Sequence, residues 1–289
     1  MEIVKNEIRL ARPYYRGQNK RFSDGCPLIP SIGRFAKLKA MNSFEFYDFE
    51  SSILDTFANH VTGQVNYLPK NDWEMLALAQ HHGLPTRFMD WTTNPLVALY
   101  FACRNAKKNT ASAVYILTKN TKRYSQLLRE EEKRFNEVYE VGDTETVNAG
   151  VSYKESLSEI DPYADFELED QATIEEPEND TTQINEILIS NLSGPDIRTP
   201  FAIGENIIYD PAHVSPRIRA QDGVLLACHQ PLKPIDETDF IEIIIDHGSG
   251  NHMSICDRLE QFGVFDKQLF PDFDGVAKWL RYKEFENGI

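Results

Sequence analysis

A chain of 289 residues with 41% apolar and 11% aromatic side chains can bury a sizeable core, as one large domain or two modest ones. Its formal charge of −15 is unevenly placed: between Glu140 and Asp180 fourteen acidic residues face a single lysine, Lys154, so that segment carries −13 and the rest about −2. The body is nearly neutral, and global charge excludes little about its ligand. Cys26, Cys103, Cys228 and Cys256 form no CxxC pair, which suits buried free thiols better than a disulfide framework. No signal-peptide core is present and no apolar run approaches the ~20 residues that cross a bilayer, so the expectation is a soluble, cytoplasmic protein with no membrane partner.

In chain order, Tyr14 and Tyr15 read as the end of a strand that Gly17 breaks, leaving Arg16 at a strand edge facing a cleft, or as an ordinary surface arginine beside a turn. A helix is predicted from Ser43, because Phe46, Phe49, Ile53, Phe57 and Val61 recur at helical spacing. A second runs from Asp72 as N-cap through Trp73, Leu76, Ala77 and Gln80 into His81-His82, with Gly83 as its C′ residue. The loop that follows, Thr86 to Thr93, is clamped by a helix starting at Asn94-Pro95. Asn is a favoured N-cap, and Pro at the first helical position loses nothing by lacking an N–H. Leu96 to Cys103 is apolar all round, so that helix should be buried. Ala111–Leu117 reads as a buried strand, and Thr121 to Val138 as a solvated helix. Glu140 to about Thr182 reads as a mobile acidic insertion.

Ile187–Ile189, Ile203–Tyr209 and Val224–Cys228 read as apolar segments or strands, and the isoleucine run Phe240–Ile245 as a central buried strand. Met253–Phe262 is a helix with Ile255, Leu259 and Phe262 inward, and the terminal helix after Phe270-Pro271-Asp272 packs through Val276, Trp279 and Leu280. Since the late strands need partners from before the insertion, the expectation is one α+β domain over 1–289. Its core would be a mixed or antiparallel sheet with flanking helices, interrupted only at about 140–182.

His81 and His82 do not form a metal pair, because adjacent helical residues point ~100° apart; no metal is expected. There is no GxSxG nucleophile elbow and no GxxxxGK or GxGxxG loop. What remains is a cleft assembled from Tyr15-Arg16-Gly17, the loop from Thr86 to Thr93, and Arg217 to Gln221. Its guanidinium groups suit a pyrophosphate, and its aromatic faces suit a base or nicotinamide. Equally, Arg87-Asp90 and Arg217 could be buried ion pairs that lock loops, with Trp91 plain core.

Tyr15-Arg16-Gly17, the block His81–Ala102, Arg217–Gly223 and Leu269–Leu280 together resemble the FRG domain family, named for its Phe/Tyr-Arg-Gly motif. The layout of that family is similar to that of ADP-ribosyltransferases, including toxins of bacterial and phage-defence systems. The resemblance implies an ADP-ribosyltransferase-like fold and NAD as cofactor. It implies a macromolecular acceptor (RNA, DNA or protein) and an antitoxin or other partner protein; the alternative is a non-catalytic nucleotide, RNA or protein interaction module. Carried over, Arg16, Asp90 and Gln221 would be catalytic. Tyr15, Gly17, His82, Thr86, Arg87, Trp91, Thr92 and Arg217 would hold NAD, with Arg16 and Arg87 on phosphates, Thr86 and Gln221 on sugar hydroxyls, and Asp90 as the electrostatic or basic group. The Glu-x-Glu or Gln-x-Glu element of those enzymes has Gln221-Asp222 as its nearest equivalent, leaving Asp90 or Asp222 as the carboxylate.

Overall fold

The computed structural model describes residues 13–61, 63–64, 69–107, 110–141, 197–211, 216–248 and 251–286. Two compact units are distinguished, Met1–Gln126 with Pro195–Ile289, and Leu127–Gly194. The first is α+β and holds the sheet and the cleft. The acidic insertion expected at 140–182 lies outside the described residues from position 142 on, as does the apolar stretch Ile187–Ile189.

The sheet has six strands among the described residues: β1 (Tyr14–Gln18), β2 (Phe88–Thr92), β3 (Ser112–Leu117), β4 (Ile207–Tyr209), β5 (Gly223–Ala227) and β6 (Phe240–Ile245), in the order β4-β5-β2-β1-β3-β6. Every pairing in it is antiparallel. Alternation along the strands sends Tyr14, Met89, Trp91, Tyr115 and Leu226 to one face, where Leu28 and Ile235 complete the main core. Helix α1 (Ser43–Val61) and helix α2 (Asp72–His81) precede β2. Asn71, not Asp72, caps α2, accepting from the Glu74 amide. At its end Gly83, with φ +90°, donates to Gln80, and Leu84 donates back to Ala79 in the two-bond closure that a left-handed residue permits. The other face of the sheet is covered by helix α3 (Pro95–Cys103), whose Ala98 and Ala102 lie against Val114, beside Tyr15 and Ile245. The expected capping is present: the Asn94 side chain accepts from the Leu96 amide at 3.0 Å, and Pro95 occupies the first turn.

Further expectations are corrected. Phe88–Thr92, expected within a loop, is strand β2. Gly17 does not end β1, which runs through it to Gln18. A Cβ at Gly17 would overlap the Ala98 carbonyl oxygen and the Ala102 amide nitrogen, so the glycine lets strand and helix backbones touch. The isoleucine run of β6 is an edge strand among the described residues, paired there with β3 alone, and Ile241, Ile243 and Ile244 are about half exposed at 54%, 48% and 51%. In the helix Asn251–Gln261, Leu259 is inward, but Phe262 is beyond its end and exposed; in the terminal helix Phe273–Arg281, Leu280 is also exposed.

Candidate functional site

Strand β1 pairs with β3 along all five of its residues, but with β2 only at Tyr15 and Thr92. Beyond that point the two strands part, and backbone groups that a continuous ladder would consume become available to side chains. Arg16 bridges the parting: its guanidinium donates from β1 to the Asp90 carbonyl on β2. A cleft of about 400 Å³, within the range of small-molecule sites, opens here. Tyr15, Val97, Phe101 and Ile218 supply apolar wall; Arg16, Gln80, His81, Asp90, Arg217 and Gln221 supply the polar groups. A second chamber of about 240 Å³ shares Arg16, Gln80, Gly83 and Asp90 with the first and continues to Ser31 and Arg34.

Arg16 is one of two groups of the cleft, with His81, whose ionisation is shifted by its surroundings. Burial pushes its guanidinium below the usual value, opposed first by the Asp90 carboxylate, with Arg34 adding to the lowering. Its Nε is buried and has no hydrogen-bond partner among the described residues, nor has Nε1 of Trp91. A half-buried guanidinium whose buried Nε is unpaired favours an anionic, acceptor-rich ligand. Asp90 is held by Gln80, whose Nε2 donates to Oδ1 at 3.2 Å while its Oε1 accepts from the Thr86 hydroxyl. Thr86 is fixed in turn by Ser31, whose Oγ accepts the Thr86 amide at 3.1 Å. A hydrogen-bonded series thus runs from Ser31 through Thr86 and Gln80 to the Asp90 carboxylate. Burial depresses the His81 pKa, and His82 and Arg217 add to the effect, favouring a neutral imidazole.

Of the residues expected here, Arg16, Asp90, Gln221, Tyr15, Gly17, Trp91, Thr92 and Arg217 all border the cleft. Several serve the frame rather than offering groups to a ligand. Gly17 is the contact with α3. Trp91 is 2% exposed in the main core, and Thr92 donates to the Gln221 carbonyl at 2.7 Å and accepts from the Asn94 amide. Gln221 commits its Nε2 to the Leu269 carbonyl at 3.0 Å, which fits a wall-fixing residue. Arg217 stacks on Phe270 at 4.6 Å from the ring centre.

Arg87 is a correction. It is 3% exposed, forms a two-pronged pair with Glu50 and donates to the Pro200 carbonyl at 2.8 Å, so it is the buried lock rather than a phosphate ligand. Thr86, 1% exposed and bonded to Gln80, is likewise not available to a sugar hydroxyl. His82 is an exposed C-cap outside the cleft wall, and its neighbour His81 takes that place. Asp222, in the left-handed region at φ 45°, spends Oδ2 on Asn94 and its carbonyl on the Thr93 amide, which leaves Asp90 as the carboxylate bordering the cleft among the described residues. Gln80, Ser31 and Arg34 were not expected. A glutamine in the last turn of a helix, directly before a polar loop, was the available signal for the first; nothing local marked the other two.

The family model of the FRG domain matches residues 11–111. Over those residues the chain is similar to the FRG domain. The match takes in Tyr15-Arg16-Gly17 and the block His81–Ala102, while Arg217–Gly223 and Leu269–Leu280 lie beyond it. The arginine of the FRG motif is the residue that spans the parting of β1 and β2, and its glycine is the one that admits α3. No curated protein and no solved structure matches the chain.

Proposed function

We propose that the FRG cleft binds NAD and that the protein transfers ADP-ribose from it to a macromolecular acceptor. The observation that carries this reading is Arg16, a half-buried guanidinium with a buried Nε that has no partner among the described residues, at the point where both chambers meet. A pyrophosphate supplies the charge and acceptor oxygens that such a group lacks. Tyr15 and Phe101 offer faces for a flat ring, and Arg217 on Phe270 offers a second cation at the mouth.

NAD supplies a ribose carbon that becomes electrophilic as the bond to nicotinamide breaks. Asp90 faces that chemistry as the carboxylate of the site. With Oδ1 fixed by Gln80, it can stabilise developing positive charge and take the proton from an acceptor hydroxyl or amine as the new glycosidic bond forms. The balance is one nicotinamide and one proton released for each ADP-ribosyl group joined to acceptor. Arg87 and Thr86, assigned to NAD by the sequence resemblance, have no part in this reading.

Incubation with NAD labelled in the adenylate half, with and without cell extract, tests it. Wild-type protein should release nicotinamide and transfer label, Arg16→Ala should lose both, and Asp90→Asn should retain NAD binding while losing transfer. Nucleotide binding with no nicotinamide release by the wild type would instead mark the cleft as a recognition module.

A further inference from the structure

The second chamber leads onto a surface that differs in charge from the rest of this acidic chain. From Gly25 to Phe44 there is no acidic residue, whereas Arg34, Lys37 and Lys39 are all exposed on the successive 3-10 turns Ser31–Arg34 and Ala36–Ala40. Between Arg34 and Lys37 in sequence, Phe35 is 43% exposed, an aromatic side chain on the same acid-free segment. The strip is held rigidly: Leu38 is 2% exposed and packs with Ile32 and Phe46, while the Ile32 amide donates to the Thr86 carbonyl. Arg34 is both the first cation of the strip and part of the chamber wall that contains Arg16 and Asp90.

Building on the transferase reading, we infer that the acceptor is single-stranded nucleic acid. Its backbone would track the Arg34-Lys37-Lys39 strip, with a base stacked on Phe35 and the reacting nucleotide entering the second chamber beside Asp90. Cations with an interleaved aromatic are the combination that binds single strands without sequence readout, since phosphates neutralise the former and any base can stack on the latter. An acidic peptide would satisfy the lysines but has no use for the exposed ring. The nearly neutral charge of the body outside Glu140–Asp180 leaves the local sign to decide.

The test is fluorescence anisotropy of the full chain with labelled poly(U) and poly(dT) of about 20 nucleotides, long enough to cover one single-strand site. Binding is measured over a salt series beside NAD binding on the same preparations. The wild type is expected to bind at least one oligomer. The double variant Lys37→Ala/Lys39→Ala should lower the slope of log K against log salt by about 1.4, about 0.7 for each phosphate that is no longer neutralised. Phe35→Ala should weaken binding about fivefold or more, in keeping with the ~1–3 kcal/mol that one stacked base contributes. Both variants should bind NAD as the wild type does. Absence of oligomer binding, a slope unchanged in the double variant, or equal affinity for poly-glutamate would overturn the inference. Oligomer binding that depends on the strip in a protein that never releases nicotinamide would retain the nucleic-acid surface and remove the transferase reading.

Discussion

Arg16, in β1, and Arg87, directly before β2, illustrate how differently one side-chain type can be used within one sheet domain. Arg87 has a bidentate carboxylate and a carbonyl, so its charge is satisfied inside the fold; Arg16 has one carbonyl and a carboxylate nearby, so part of its demand is unmet. Glu50→Gln should therefore cost about 3–5 kcal/mol, the scale for removing one partner of a buried pair, read as a lower urea midpoint. NAD affinity of the folded variant should be unchanged; a large loss of affinity at intact stability would return Arg87 to the binding site. Arg16→Ala should behave oppositely, weakening NAD binding about tenfold or more, since hydrogen bonds to a charged group contribute about 1.5–3 kcal/mol, with a smaller effect on the midpoint. The sequence could not separate these two arginines, because Glu50 lies 37 positions before Arg87 and nothing local marks them as partners.

At the scale of elements, what could be read from sequence was what short-range chemistry determines. Asn94-Pro95 start α3 and Gly83 ends α2 because caps depend on a few neighbouring residues. The spacing of Phe46, Phe49, Ile53 and Phe57 marks α1 for the same reason. The position of β6 was not readable, since an isoleucine run looks identical at the centre and at the edge of a sheet, and strand order is fixed by distant pairings. Ile241→Thr/Ile243→Thr should consequently change thermal stability by no more than about 0.5 kcal/mol per site, the usual scale for surface changes, while reducing self-association in light scattering. A loss several times larger would mean those side chains are core. Gly17→Ala is expected to destabilise by about 1–3 kcal/mol or more, because its Cβ meets backbone of α3 that has no rotamer to yield; a stability equal to wild type would show that strand and helix can separate at this point.

For the whole molecule, acid should act before the carboxylates titrate. His81, His229 and His252 all have pKa values depressed chiefly by burial, so the fold favours their neutral forms. The unfolded chain, with histidines near pH 6.5, then binds more protons than the native state, and stability rises with pH through that window. The urea midpoint should be level above about pH 7 and fall between about pH 6.5 and 5, a decline that His→Gln replacement at the three positions should flatten. A midpoint that climbs on acidification across this range would contradict the assignment.

The parting of β1 from β2 also bears on how this protein could change its ligand. The groups that hold the cleft open, Gly17 against α3, Glu50 with Arg87 and Gln221 on Leu269, are distinct from those facing its interior, such as Asp90, Arg217 and Arg34. Substitutions at the second set alter chemistry without touching the supports, so new specificities are reachable by single steps through folded intermediates. A binding-site library confined to Asp90, Arg217 and Arg34 should accordingly yield mostly soluble proteins, whereas one that includes Arg87 or Gly17 should not.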